Sequence, residues 1–211
     1  METKTVSTTE PNALMHASDV LRHGGVVAFP TDTVYGLGVM AFEEDGIMRL
    51  YLIKGRNHTK AIAILISGIE DLERVADSPS KETLALAEHF WPGPLTLVVP
   101  RHPNVPDILS PTATIGVRVP DHPVALELLE MVGPLAVTSA NLSEEKNSVT
   151  AENVLEQLGG RVHLTLDGGK TPGGMPSTVV DCSKPEIEIL RPGPLKQKEL
   201  LSVLSQQVPK P

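Results

Sequence analysis

The chain has a single cysteine, a single tryptophan, two tyrosines and three phenylalanines in 211 residues. Cys182 alone can form neither an intrachain disulfide nor a cysteine-built metal cluster, which fits a reducing compartment, and its plainest role is as a small core residue of a strand. Aromatics at 3% are too few for a stacking platform on single-stranded nucleic acid. Val, Ile, Leu and Ala must therefore build the core. Basic residues are outnumbered, 18 against 26, and a net charge of −8 gives no general attraction to nucleic acid, although a local basic patch remains compatible with it. No apolar run approaches bilayer-spanning length, and the polar start through Asn12 lacks the apolar stretch of a secretory leader. These features predict a cytoplasmic protein with no membrane partner. The chain has no Gly-x-x-x-x-Gly-Lys-Ser/Thr loop, no Gly-x-Gly-x-x-Gly, no His-Glu-x-x-His and no Gly-x-Ser-x-Gly. Its seven histidines show no ligand spacing, so no metal site is expected, and His58, His89 and His102 read as surface residues.

What the chain does have is enough apolar sequence, 40%, for one sizeable core. Short apolar runs at 26–29, 62–66, 95–99, 115–119, 135–137, 162–166, 179–180 and 187–190 alternate with helical patterns, which predicts an α/β fold. Ile47, Leu50 and Lys54 share one face of a helix that Gly55 ends, so Lys54 is carried along the buried side. Ser78-Pro79 opens a helix to residue 90, His122-Pro123 another to residue 131, Thr150 caps a third, and a last one runs over 195–204. The folded domain is expected over residues 13–205, with 1–12 and 206–211 as flexible ends.

The segments that leave these elements carry the chemistry. Residues 29–38, Phe-Pro-Thr-Asp-Thr-Val-Tyr-Gly-Leu-Gly, read as a strand emptying into a polar loop, because Pro30 ends ladder pairing and Gly36 and Gly38 free the backbone. The hydroxyls of Thr31 and Thr33, two apart, point to one side, and such a loop is where α/β proteins place small ligands. Lys54-Gly55-Arg56 puts two cations at a helix end, where dipole capping alone would account for them. Ser139 and Asn141, again two apart, leave the 135–137 strand and suit either a turn or a ligand. Arg118 interrupts an apolar strand, where an exposed strand-face arginine is the simplest account. Gly168-Gly169 and Gly173-Gly174 bracket a loop that ends at Ser177-Thr178, and Arg191-Pro192-Gly193 closes the last strand. Together these groups describe anion binding at several points and small donors at others, as a nucleoside triphosphate and a small polar metabolite would need.

Six motifs, Pro30-Thr31-Asp32-Thr33-Val34-Tyr35-Gly36-Leu37, Lys54-Gly55-Arg56, Phe90-Trp91-Pro92-Gly93-Pro94-Leu95-Thr96, Val117-Arg118-Val119-Pro120, Ser139-Ala140-Asn141 and Ser177-Thr178-Val179-Val180-Asp181, occur in the order seen in the YrdC-like threonylcarbamoyl-AMP synthase family, which the chain resembles over residues 17–195. The resemblance implies a single YrdC-like domain, a curved mixed sheet with flanking helices and a positively charged cavity. It implies condensation of L-threonine, bicarbonate and ATP to threonylcarbamoyl-AMP, with Mg²⁺ carried on the phosphates. The product would pass to downstream threonylcarbamoyl transferase proteins for N6-threonylcarbamoyladenosine at position 37 of tRNA, with direct tRNA contact left open. It further implies threonine contacts from Thr33, Arg118, Ser139 and Ser177, ATP contacts from Arg56, Lys60, Thr114, Asn141 and Arg191, and a catalytic constellation of Lys54, Arg56, Ser139 and Asn141. Leu65 stands where some members have histidine, Ala61 where proline is frequent, and Glu144-Glu145-Lys146 where Gly-x-Pro is usual. The alternative is a non-catalytic nucleotide- or RNA-binding member of the same fold, against which the complete Lys-x-Arg and Ser-x-Asn pairs argue.

Overall fold

Period-two alternation explains both faces of the central strands. In β5 (Leu95–Pro100) Leu95, Leu97 and Val99 enter the core, and in β6 (Thr114–Arg118) so do Ile115 and Val117. Thr96, Val98, Gly116 and Arg118 are thereby turned to the opposite face. Flanked by Ile62 and Ile66, β4 (Ala63–Leu65) sends Ile64 to the same core. The computed structural model describes residues 2–184 and 186–205, so the expected tail at 206–211 lies outside the described residues.

The remaining strands are β1 (Lys4–Ser7), β2 (Val27–Phe29), β3 (Gly36–Met40), β7 (Leu135–Ser139), β8 (Leu164–Asp167), β9 (Thr178–Asp181) and β10 (Glu188–Arg191). They form one mixed sheet in the order β1-β8-β2-β3-β7-β4-β6-β5-β9-β10. The β1–β8, β8–β2, β4–β6 and β5–β9 pairs are parallel and the rest antiparallel.

One face is covered along its length by α2 (Glu44–Lys54), α3 (Lys81–Phe90), α5 (Ala151–Leu158) and α6 (Gln197–Ser205), whose apolar sides join the larger core cluster. The other face carries only α1 (Ala13–Arg22) and α4 (Pro123–Val132), packed with Phe29, Leu65, Leu135 and Leu164. Two helices cannot cover ten strands. The uncovered half is where β4, β6, β5, β9 and β10 present Ala63, Gly116, Thr96, Val179 and Arg191, with Ser177 just before β9.

Several helix ends follow the sequence reading. Gly55 ends α2 in the left-handed region (φ 58), Pro123 opens α4, and Thr150 Oγ1 accepts the Asn153 amide at 3.3 Å. Helix α3 starts later than Ser78-Pro79 indicated, because Ser80 Oγ takes the Thr83 amide at 3.2 Å. Cys182 is buried just past β9, and burial pushes its thiol up to about 12.

Two expectations are corrected. Residues 4–7 are not a flexible lead: β1 hydrogen-bonds along β8 with Val6 beside Leu166 and buried, although Val6 is the only apolar residue to mark the strand. Gly36 and Gly38 do not loosen a loop but lie inside β3. A Cβ at Gly36 would fall 2.9 Å from Val137 Cγ1 and one at Gly38 2.9 Å from Phe29 Cε1, so glycine here permits close strand packing. No helix among the described residues is long and apolar enough to cross a membrane.

Candidate active site

The open half of the sheet forms a cavity of about 360 Å³, within the range of small-molecule sites. At one end the 31–34 turn is closed by Thr31, whose hydroxyl donates to the Val34 carbonyl at 2.6 Å and lies 3.0 Å from Thr33 Oγ1. The two hydroxyls do share a side. Arg118 is not an exposed strand-face residue: it is 6% exposed, donating from Nε to the Gly93 carbonyl at 2.9 Å and from a terminal nitrogen to Thr33 Oγ1 at 3.0 Å. Its second terminal nitrogen pairs with Asp32. Burial lowers the Arg118 pKa, and the Asp32 charge opposes that shift.

The parallel β5–β9 register sets Leu95 opposite Thr178, which brings Thr96 Oγ1 within 2.7 Å of Ser177 Oγ. Arg191, at the end of β10, donates to the Ser177 carbonyl at 3.1 and 2.8 Å and to its hydroxyl at 3.1 Å. Gly193 is needed beside it, since a Cβ there would sit 2.3 Å from the Thr178 amide nitrogen. Across the cavity, Arg56 donates to the Lys60 carbonyl at 3.0 Å and the Ala61 carbonyl at 2.7 Å. Burial lowers the pKa of both Arg56 and Arg191, and the charge of Arg56 adds to the shift on Arg191. Neither has a carboxylate partner among the described residues. Two cations held together with no counter-charge make a site for an anion.

Thr33, Arg56, Arg118, Ser139, Ser177 and Arg191 thus line one cavity, while Lys54, Lys60, Thr114 and Asn141 stand outside its walls. Lys54 is 2% exposed, and its ammonium is bonded to the Ser139 and Asn141 carbonyls. Desolvation pulls its pKa down to about 7. Asn141 is turned into its own loop, donating to the Leu142 and Glu145 carbonyls at 2.7 and 2.9 Å, with Oδ1 buried and unpartnered. Lys60 lies 2.8 Å from Glu144 Oε1. Thr114 Oγ1 meets Thr112 Oγ1 at 2.8 Å.

Sequence reasoning gave no role to Ser148, whose hydroxyl donates to the Ala140 carbonyl at 2.6 Å while its carbonyl takes the Tyr35 amide at 2.9 Å. It thereby ties the 139–141 turn to the start of β3. A lone serine in a polar loop carries no pattern that would have revealed this.

A protein-family profile for Sua5/YciO/YrdC, described as telomere recombination, matches residues 19–193. The chain is 40% identical to the threonylcarbamoyl-AMP synthase of Pyrococcus abyssi over 192 residues, 90% of this chain and 56% of that one. It is 38% identical to the threonylcarbamoyl-AMP synthase of Bacillus subtilis over 205 residues, 96% of this chain and 59% of that one. It therefore spans less than two thirds of the length of these relatives. The crystal structure of P. abyssi Sua5 complexed with L-threonine superposes with a TM-score of 0.92 at 37% identity, covering 97% of this chain and 61% of that one. With the profile covering most of its length and the fold shared throughout, the chain belongs to the Sua5/YciO/YrdC family.

Proposed function

We propose that this protein is an L-threonylcarbamoyladenylate synthase, a nucleotidyltransferase that joins L-threonine, bicarbonate and ATP into threonylcarbamoyl-AMP and pyrophosphate. The observation that carries the reading is the polarity of one cavity. Arg118, beside the Thr33 hydroxyl, is paired with Asp32, whereas Arg56 and Arg191, the latter bonded to Ser177, have no carboxylate partner among the described residues and are left for an anion. The names of the relatives and the threonine of the P. abyssi complex support the same assignment.

In this reading Arg118 takes the amino-acid carboxylate, and Thr33, Ser139 and Ser177 surround the side-chain hydroxyl and amine. The amine attacks the bicarbonate carbon, water leaves, and the new carbamate oxygen displaces pyrophosphate from the α-phosphorus of ATP. Arg56 and Arg191 neutralise the charge that gathers on the phosphates, where fixed cations lower a barrier most. Lys54 holds the Ser139 to Asn141 turn in place, and alignment of two bound substrates supplies much of the remainder. Among the described residues the cavity walls contain no carboxylate, so a magnesium ion would enter on the triphosphate and be held by phosphate oxygens. Lys60, Thr114 and Asn141, outside the walls, would reach the nucleotide only where it extends past the cavity. The product would serve a downstream transferase acting on tRNA in the cytoplasm.

The test is purified protein with ATP, magnesium, bicarbonate and threonine, scored for pyrophosphate release and for the adenylate. Release that depends on both threonine and bicarbonate is expected. Nucleotide binding without turnover would instead favour the non-catalytic reading.

A further inference from the structure

Arg118 is gripped from behind as well as presented in front. A guanidinium carries five N–H donors. Three are engaged by the protein, with Nε on the Gly93 carbonyl, one terminal nitrogen on Thr33 Oγ1 and the other on Asp32 Oδ1. Two remain, one on each terminal nitrogen, and a carboxylate accepts such a pair as a fork. Asp32 itself does not line the cavity, whereas Thr31, Thr33 and Arg118 do. The same Oδ1 also accepts the Asp121 amide at 3.1 Å, which fixes Asp32 against the turn that leads into α4.

We infer that Asp32 is a positioning residue that acts through Arg118, holding the guanidinium so that its two unengaged N–H groups meet the carboxylate of an α-amino acid. This rests on the proposed reading of the cavity as the threonine site. Asp32 touches no substrate. If it is removed, Arg118 keeps its bonds to Gly93 and Thr33 but loses the third point that fixes its plane. The consequence falls first on Arg118, because Arg56 and Arg191 have no bond to Asp32 or Arg118 and Arg191 acts on Arg118 only through its charge.

The test compares wild type, Asp32→Ala, Asp32→Ser and Asp32→Asn by calorimetric titration of threonine, threoninamide and ATP, alongside thermal unfolding. Asparagine keeps an Oδ1, the one oxygen that both bonds use, whereas serine is too short to reach Arg118. Asp32→Ala and Asp32→Ser are expected to lose about tenfold or more in threonine affinity, the scale of a hydrogen bond to a charged group. They should also lose the preference for threonine over threoninamide while ATP affinity stays within about twofold. Asp32→Asn should retain that preference. If alanine does not fold, serine and asparagine carry the comparison. Threonine affinity unchanged in a folded Ala or Ser variant, threonine and ATP falling together, or loss of the preference in Asp32→Asn, would overturn the inference. A wild-type protein that binds ATP but no threonine would instead overturn the functional reading on which it rests.

Discussion

Glu144 reaches from the loop after β7 to the ammonium of Lys60 in the loop after α2, 2.8 Å away. The pair is exposed, at 46% and 81% for the two side chains, and Lys60 holds the Glu144 carboxyl below its ordinary range. Glu144 adopts φ 73, a left-handed backbone that suits glycine better. A cation beside the arginine-lined cavity is thus occupied by a side chain of the same molecule. Glu144→Gly should relax the backbone and release Lys60 for phosphate. The Michaelis constant for ATP is expected to fall a few-fold at low salt, about twofold to fivefold, and less at physiological salt where such pairs are screened. Steady-state ATP titrations at two ionic strengths check this, and a constant unchanged at both would detach the pair from nucleotide binding.

Arg56 and Arg191 are expected to matter for turnover more than for folding. Arg56→Ala should lower turnover by about one to three orders of magnitude, the scale of losing a fixed charge against a transition state. Because Arg56 and Arg191 repel each other, removing one cation should leave the unfolding temperature nearly unchanged. Kinetics paired with a thermal scan decide it. A collapse of the scan would assign Arg56 to the fold.

Lys54 gives a pH signature. Its pKa falls from 10.5 to about 7 in the folded protein, so between those values the unfolded chain binds more protons than the folded one and stability rises with pH. Below pH 7 both states are protonated and the cost of burying the charge is present in full. Denaturant titrations of wild type and Lys54→Met should show wild type gaining on the variant as pH rises from about 7 to about 9.5. A difference that stays flat, or a wild type that loses ground to the variant as pH rises, would mean that Lys54 remains charged throughout.

Gly116 forms the floor between β4 and β5. A Cβ there would lie 3.1 Å from Thr96 Cγ2 and 3.5 Å from Ala63 Cβ, so alanine is tight and valine projects into the cavity. Gly116→Val should keep the far-UV circular dichroism of the wild type and lose measurable threonine binding. Binding at wild-type strength would place the amino acid elsewhere.

Helices α2 to α6 were legible from their spacing and caps and α1 was not, and eight of the ten strands were legible because apolar runs of β-branched residues announce themselves. The two that were not show the limit. β1 has only Val6 to bury and owes its place to ladder bonds with β8, and β3 contains two glycines whose reason is the neighbouring Val137 and Phe29 side chains. The site divides along the same line. Spacing showed that Thr31 and Thr33 share a side and that Lys54 runs along a buried face, but not that its ammonium ends on the Ser139 and Asn141 carbonyls rather than facing the cavity. Nor could it show Asp32 behind Arg118, since that pairing exists only once β6 and the 31–34 turn are brought together.

The order of strands in the sheet bears on how the protein comes into being on the ribosome. Among the described residues β1, which precedes the other nine strands, hydrogen-bonds only to β8, and the wall that carries Ser177 and Arg191 belongs to β9, β10 and the segments beside them. Contacts between such distant parts of a chain form slowly. A nascent chain that already displays Thr33, Arg56 and Arg118 therefore lacks the second cation of the anion site until Arg191 has left the exit tunnel. Growing chains and prematurely terminated ones share one property: they lack the β9–β10 wall of the cavity.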